Sequence, residues 1–248
     1  MSFLKKYLKL LFLPLCLVLV TSCDSDSSNS NSTGMPATAA APVMQEYQIE
    51  VINLTAGQPF SPIALIGHDN RYQIFNIGEA ASAGLERLAE GGDNSDFLTE
   101  ADESFGVIMS MSTAAPLAPG SIETMTILVA ESDVPGMMLS AVTMLVNSND
   151  AFTAANDISI ENLEVGDQLD LTTISFDSGT EANTELPGTI PGPADGGEGF
   201  NAARDDIADV VRAHSGVVSH DDGLMGSVLN EGHRWDNPVA RVIVTRLQ

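Results

Sequence analysis

The run from Met138 to Val146 is the most apolar stretch of the chain after its N-terminal leader, and it ends directly on Asn147-Ser148-Asn149-Asp150. A short continuous apolar run bounded by turn residues reads as a central strand. Asp170 to Phe176 reads as another, and it delivers Asp177. There the polar stretch Asp177-Ser178-Gly179-Thr180-Glu181-Ala182-Asn183-Thr184-Glu185 begins. Two buried strands therefore end in two loops rich in carboxylates and amides. A rigid scaffold that fixes such loops is a common way to carry a site. Hard cations such as Ca²⁺ take about six to eight oxygen ligands, at roughly 2.3–2.6 Å, from flexible loops. Neither loop has EF-hand spacing, and acidic loops also serve as plain solvated turns. The residues by themselves leave both readings open.

The remaining pattern is strand-rich. Tyr47 to Leu54 alternates, Pro62 to His68 is extended, and Gly106 to Met111 and Ile122 to Val129 follow. Val239 to Leu247 alternates apolar residues with Arg and Thr, so one face is wet. Helical spacing of Ile77, Ala81, Leu85 and Leu88 predicts a short helix over 78–90, stopped by Gly91-Gly92. A second helix is expected over 95–104. An amphipathic packing helix is expected over 201–214, with Ala203, Ile207, Val210 and Val211 as its stripe. Thr184 to Gly199 reads as a long Pro/Gly-rich loop. Strands with a few short helices in their connections predict an all-β fold, an antiparallel β-sandwich.

The N-terminus reads as an address. Lys5, Lys6 and Lys9 precede an apolar stretch from Leu10 to Val20 that is too short for a dependable membrane span. It ends in Val20-Thr21-Ser22-Cys23, which resembles a bacterial lipobox. That likeness implies a signal peptide over 1–22, lipid on Cys23, and a flexible Ser/Asn/Pro/Ala-rich tether over 23–45. The folded domain is then 46–248, exported and lipid-anchored in the bacterial cell envelope. The other cysteine, Cys16, lies in the leader, so the mature part can form neither a disulfide nor a thiolate metal site.

All three lysines also lie in the leader. Seven arginines against 34 acidic residues leave the mature part at −27. Such a charge repels nucleic acid and anionic membranes and attracts divalent cations. An acidic surface for solvation in salt produces the same balance.

Asn53-Leu54-Thr55-Ala56-Gly57-Gln58-Pro59-Phe60-Ser61-Pro62 resembles the opening of the spondin N-terminal domain in its bacterial form. Gly78 with Ala81-Ser82, Leu85-Glu86 and Ala89 to Gly92 fits the next block. Met144-Leu145-Val146 with Asn149 to Phe152, then Asp177 to Glu185, then Asn237 to Val242 follow in the family's order. The resemblance implies a β-sandwich of the spondin N-terminal type, an adhesion or matrix module with a calcium site. Carried over, the ligands are Asp150, Asp177 and Glu181. Ser178 stands where the family has Ala, a change expected not to matter for ligation, and Glu181 stands where animal members have aspartate.

The expectation is thus a non-catalytic Ca²⁺-binding module held to the membrane through lipid on Cys23, with a protein or glycan ligand of unknown identity and no nucleic-acid partner. A structural envelope lipoprotein with a stabilising Ca²⁺ is the alternative. A hydrolase is the remaining rival. His68-Asp69, His214, His220-Asp221-Asp222 and His233 are available to it, but no Gly-x-Ser-x-Gly or His-Glu-x-x-His occurs. The His220 cluster reads as a solvated turn. Met109, Met111, Met125, Met137, Met138 and Met144 read as core filling.

Overall fold

In a computed structural model, residues 41–202 and 208–248 are described. The leader, Cys23, most of the tether and residues 203–207 lie outside the described residues. Strand β1 (Met44–Asn53) alternates as its sequence demands, with Tyr47, Ile49 and Val51 buried and the residues between them half-exposed. It pairs antiparallel with β4 (Ile122–Ala130) on one side and β10 (Ala240–Arg246) on the other. β7 (Gln168–Thr173) completes a four-stranded sheet of order β4-β1-β10-β7.

The second sheet has six strands. They are β3 (Val107–Ser112), β2 (Ala64–His68), β5 (Met138–Met144), β6 (Ala151–Ser159), β8 (Ser175–Asp177) and β9 (Arg212–Ala213), in that order and antiparallel throughout. The molecule is an all-β sandwich. Between the sheets lies a core of Tyr47, Ile49, Val51, Ile127, Leu139, Val242, Val244 and their neighbours. Each fully buried aliphatic side chain contributes about 1.5–3 kcal/mol.

The outer face of the six-stranded sheet is covered too. Helix α1 (Ala83–Gly91) and helix α2 (Ser95–Asp102) lay Leu85, Leu88, Ala89, Phe97 and Ala101 onto Ile66, Val142, Met144, Phe152 and Phe176. β5 is therefore buried on both faces, which is why its sequence is apolar without alternation. α1 starts at the Ser82 cap, whose hydroxyl accepts from Leu85 N–H, and stops at Gly92 with φ 71°. It begins five residues later than the apolar spacing suggests, because 76–79 forms a turn.

Three elements differ from the sequence-based expectation. The run 170–176 is two strands in two sheets: the chain crosses between them at Ile174, whose carbonyl accepts from the Thr153 hydroxyl at 2.9 Å. β6 starts directly after the Asn147–Asp150 loop, in a stretch to which the sequence reading gives no strand. Its Ala/Thr/Asn composition carries little strand signal, and pairing on both sides supplies what propensity does not. The helix expected over 201–214 is not formed in its described part. Val211 N–H donates to Glu79 O, and Arg212–Ala213 pair with Asp177 and Phe176 as β9. Val211 is still buried, so its apolar character is spent on a sheet edge rather than a helix stripe.

Candidate metal centre

β5 and β6 are joined by a tight turn. Leu145 N–H donates to Ala151 O, and the Ser148 hydroxyl donates to Leu145 O while accepting from Ala151 N–H. Asp150 is the last residue before β6. On the neighbouring strand, Asp177 is the last residue of β8, and the ladder sets Ala151 opposite Asp177, Phe152 opposite Phe176 and Thr153 opposite Ser175. The register anchored by the stacked Phe152 and Phe176 rings, 5.5 Å apart, thus carries two aspartates to the same end of the sheet.

Both aspartates are buried. Their carboxylate oxygens and a ring nitrogen of His214 lie within 4.8 Å of one another, a group able to hold a metal ion. The loop 178–181 closes over Asp150. Oδ2 accepts from the Ser178 hydroxyl at 2.9 Å, Thr180 N–H at 3.0 Å and Glu181 N–H at 3.3 Å. The Ser178 hydroxyl thus helps to hold the Asp150 carboxylate in place. Gly179 makes the turn possible. Its φ is +77°, and a Cβ there would run into the Val210 backbone.

Asp150 Oδ1, by contrast, is buried and has no hydrogen-bond partner among the described residues. Burial first, and the Asp177 charge second, push the Asp150 carboxyl up to about 6, against the pull of its three donors. A buried anionic oxygen without a partner costs several kcal/mol unless a proton or a cation compensates it.

Asp177 is better supplied. Oδ1 accepts from Gly179 N–H at 2.9 Å, and Oδ2 from Asn183 Nδ2 at 2.8 Å and Arg212 at 3.2 Å. Behind Asn183 stands His214. Its Nδ1 accepts from Gly216 N–H at 2.9 Å, so Nε2 carries the proton and points at Asn183 Oδ1, 3.3 Å away. Burial pulls the imidazole down to about 4, helped by Arg212 and opposed by Asp177. The chain Gly216–His214–Asn183–Asp177 hence orients the Asp177 carboxylate through a neutral histidine. In that tautomer the imidazole lone pair is already taken, and the donors left for an ion are oxygens, the set that suits a hard cation.

Of the residues singled out from sequence, Asp150 and Asp177 come together. The Glu181 carboxylate lies outside the three-residue cluster: its Oε1 accepts from Asn149 Nδ2 at 3.0 Å, while its backbone N–H reaches Asp150. His214 and Arg212 were not singled out as parts of the ion site. Arg212 lies on β9 and His214 directly follows it, and β9 gives no strand signal of its own. Glu185 is buried beyond Asn149, with φ 49°, and among the described residues its Oε2 also lacks a partner; burial raises its carboxyl against the Val218 N–H. His220-Asp221-Asp222 forms a short turn in which Asp222 pairs with Arg234 and Ser219. His68 is fully enclosed, 2.8 Å from the equally enclosed Ser140 hydroxyl, so no substrate reaches that pair.

A search of curated proteins gives no match. A family model described as Spondin_N matches residues 53–187, more than half of the chain, and the matched span contains Asp150, Asp177 and Glu181. It ends before His214 and before the Asn237–Val242 block. With the sandwich and the order of its motifs in agreement, the chain belongs to the spondin N-terminal domain family, a family of extracellular binding modules.

Proposed function

We propose that this protein is a non-catalytic binding module whose loops are held by one Ca²⁺ ion, and that lipid on Cys23 anchors it in the bacterial envelope. The observation that carries the ion site is the Asp150 Oδ1 atom, which is buried, partnerless and beside a second buried carboxylate. A hard cation between Asp150 and Asp177 cancels their repulsion and takes backbone and amide oxygens of the same loops to fill its coordination. What binding does here is stiffening: it ties the β5–β6 turn to the loop after β8 and fixes the surface those loops present.

Calorimetric titration of Ca²⁺ into the full-length protein, wild type against Asp177→Asn, tests this. Wild type is expected to bind with a rise in Tm, and the variant to lose both. No binding and no thermal stabilisation of wild type at millimolar Ca²⁺ sinks the ion reading. The anchor has its own test, because Cys23→Ser is expected to move the protein from the membrane to the soluble fraction. An adhesion role requires a partner for the displayed loops; a purely structural lipoprotein would bind the ion with none.

A further inference from the structure

A cleft of about 600 Å³ opens between the turn after β2 and the two helices, away from the aspartates, with Asn70, Tyr72, Gln73, Ser82, Glu100 and Phe105 among its walls. That volume is in the range of small-ligand sites. Phe105 stands at the cleft 84% exposed. A single exposed aromatic ring is ordinary, but this one is held in place. The following residue, Gly106, has φ +95°, and a Cβ on it would meet the Asp69 carboxylate. Asp69 N–H donates to Gly106 O at 2.9 Å, tying the Phe105 turn to the turn after β2. Asp69 also accepts from Arg71 N–H and Nε, each at 2.9 Å, and the Arg71 guanidinium carbon sits 5.8 Å from the centre of the Phe105 ring. The ring is thus presented from a braced turn, with the Arg71 guanidinium to one side and most of its surface open.

The polar groups of the cleft have spare capacity. Among the described residues, the Asn70 and Gln73 amides and the Tyr72 hydroxyl make no side-chain hydrogen bond within the protein. Burial, with Glu100 nearby, pushes the Tyr72 phenol up to about 12, so it stays a donor. Glu100 is held by Gly84 N–H at 2.8 Å and makes the cleft unfavourable for an anion. Arg71 cannot offset that, because Asp69 already neutralises it. A cation would meet one carboxylate, Glu100, so choline serves as the rival ligand in the test. The neutral amides, the phenol and the open ring face match a neutral ligand with one apolar face and many hydroxyls.

The geometry points to this cleft as a binding site for a neutral saccharide. The C–H face of a pyranose ring stacks on the open face of Phe105, and its hydroxyls exchange hydrogen bonds with Asn70, Gln73, Tyr72 and Glu100. The inference rests on the reading of the chain as a binding module, not on the calcium site.

The full-length protein is screened against an array of neutral oligosaccharides, with choline and a sulfated tetrasaccharide as comparison ligands. Hits are followed by saturation-transfer NMR. Wild type is expected to bind at least one neutral oligosaccharide through its ring C–H protons. Phe105→Ala and the Asn70→Ala/Gln73→Ala pair are expected to weaken it at least tenfold, with Tm unchanged because these side chains lie outside the core. Asp177→Asn is expected to keep saccharide binding while losing calcium, which separates failure of this site from failure of the ion site. The proposal is overturned if no neutral saccharide binds, if binding survives Phe105→Ala, or if choline or the sulfated ligand is bound in preference.

Discussion

Asp177 stands directly opposite Ala151 in the β6–β8 ladder, so the residue before Ala151, Asp150, meets Asp177 at the strand ends. A slip of one residue would turn Phe152 and Phe176 out of the helix-covered core and separate the two carboxylates. Core packing and site geometry are thus set by one register.

That coupling predicts the effect of Phe152→Ala. Phe152 is fully buried and touches both Phe75 and Phe176. Its truncation is expected to cost about 3–5 kcal/mol in urea denaturation. Calcium affinity should fall with it, although no ligand is altered.

The charge on Asp150 predicts a pH dependence in the metal-free protein. Its carboxyl titrates near 6 when folded and near 3.8 when unfolded. Between these values the folded state holds the proton more tightly, so stability falls as pH rises from about 4 to about 6 and is flat above. Roughly two pK units correspond to about 3 kcal/mol. Asp150→Asn, neutral at every pH, should match wild type in EDTA near pH 4 and exceed its stability by that order above pH 6. Saturating Ca²⁺ should abolish the slope. A difference independent of pH contradicts the assignment.

Ser178→Ala should destabilise the metal-free protein. It removes the hydroxyl donated to a buried carboxylate, worth about 1.5 kcal/mol. Chemical denaturation in EDTA measures this. The two backbone donors to Asp150 remain, so calcium binding is expected to weaken without being lost.

Gly179→Ala should be worse. The left-handed backbone costs a side-chain-bearing residue roughly 1–2 kcal/mol, and the new methyl meets the Val210 backbone, which cannot step aside. A lowered Tm together with lost calcium binding is the expected result. Retained binding would show that the loop closes another way.

Where the sequence was sufficient, the signal was local. The apolar run that becomes β5, the alternation of β1 and β10, and the Ser82 and Gly92 caps of α1 all express burial or backbone preferences of neighbouring residues. The order of the motifs carries the family resemblance, and it is that resemblance, not the local preferences, that pairs Asp150 with Asp177. β6 and β9 were not legible, because their residues are held by pairing with neighbouring strands of the sheet rather than by their own propensity. Hence the Asp177 side of the site could be named in part only. Arg212 and His214 enter it from a segment whose spacing suggested a helix, and the Glu181 side chain turns to Asn149 instead. The identity of β1, β5 and β10 and the presence of acidic loops are properties of a few consecutive residues, so the chain alone determined them. Which oxygens face one another, and which one is left buried without a partner, depends on sheet register and on loops folding across it, and only the tertiary structure decided that.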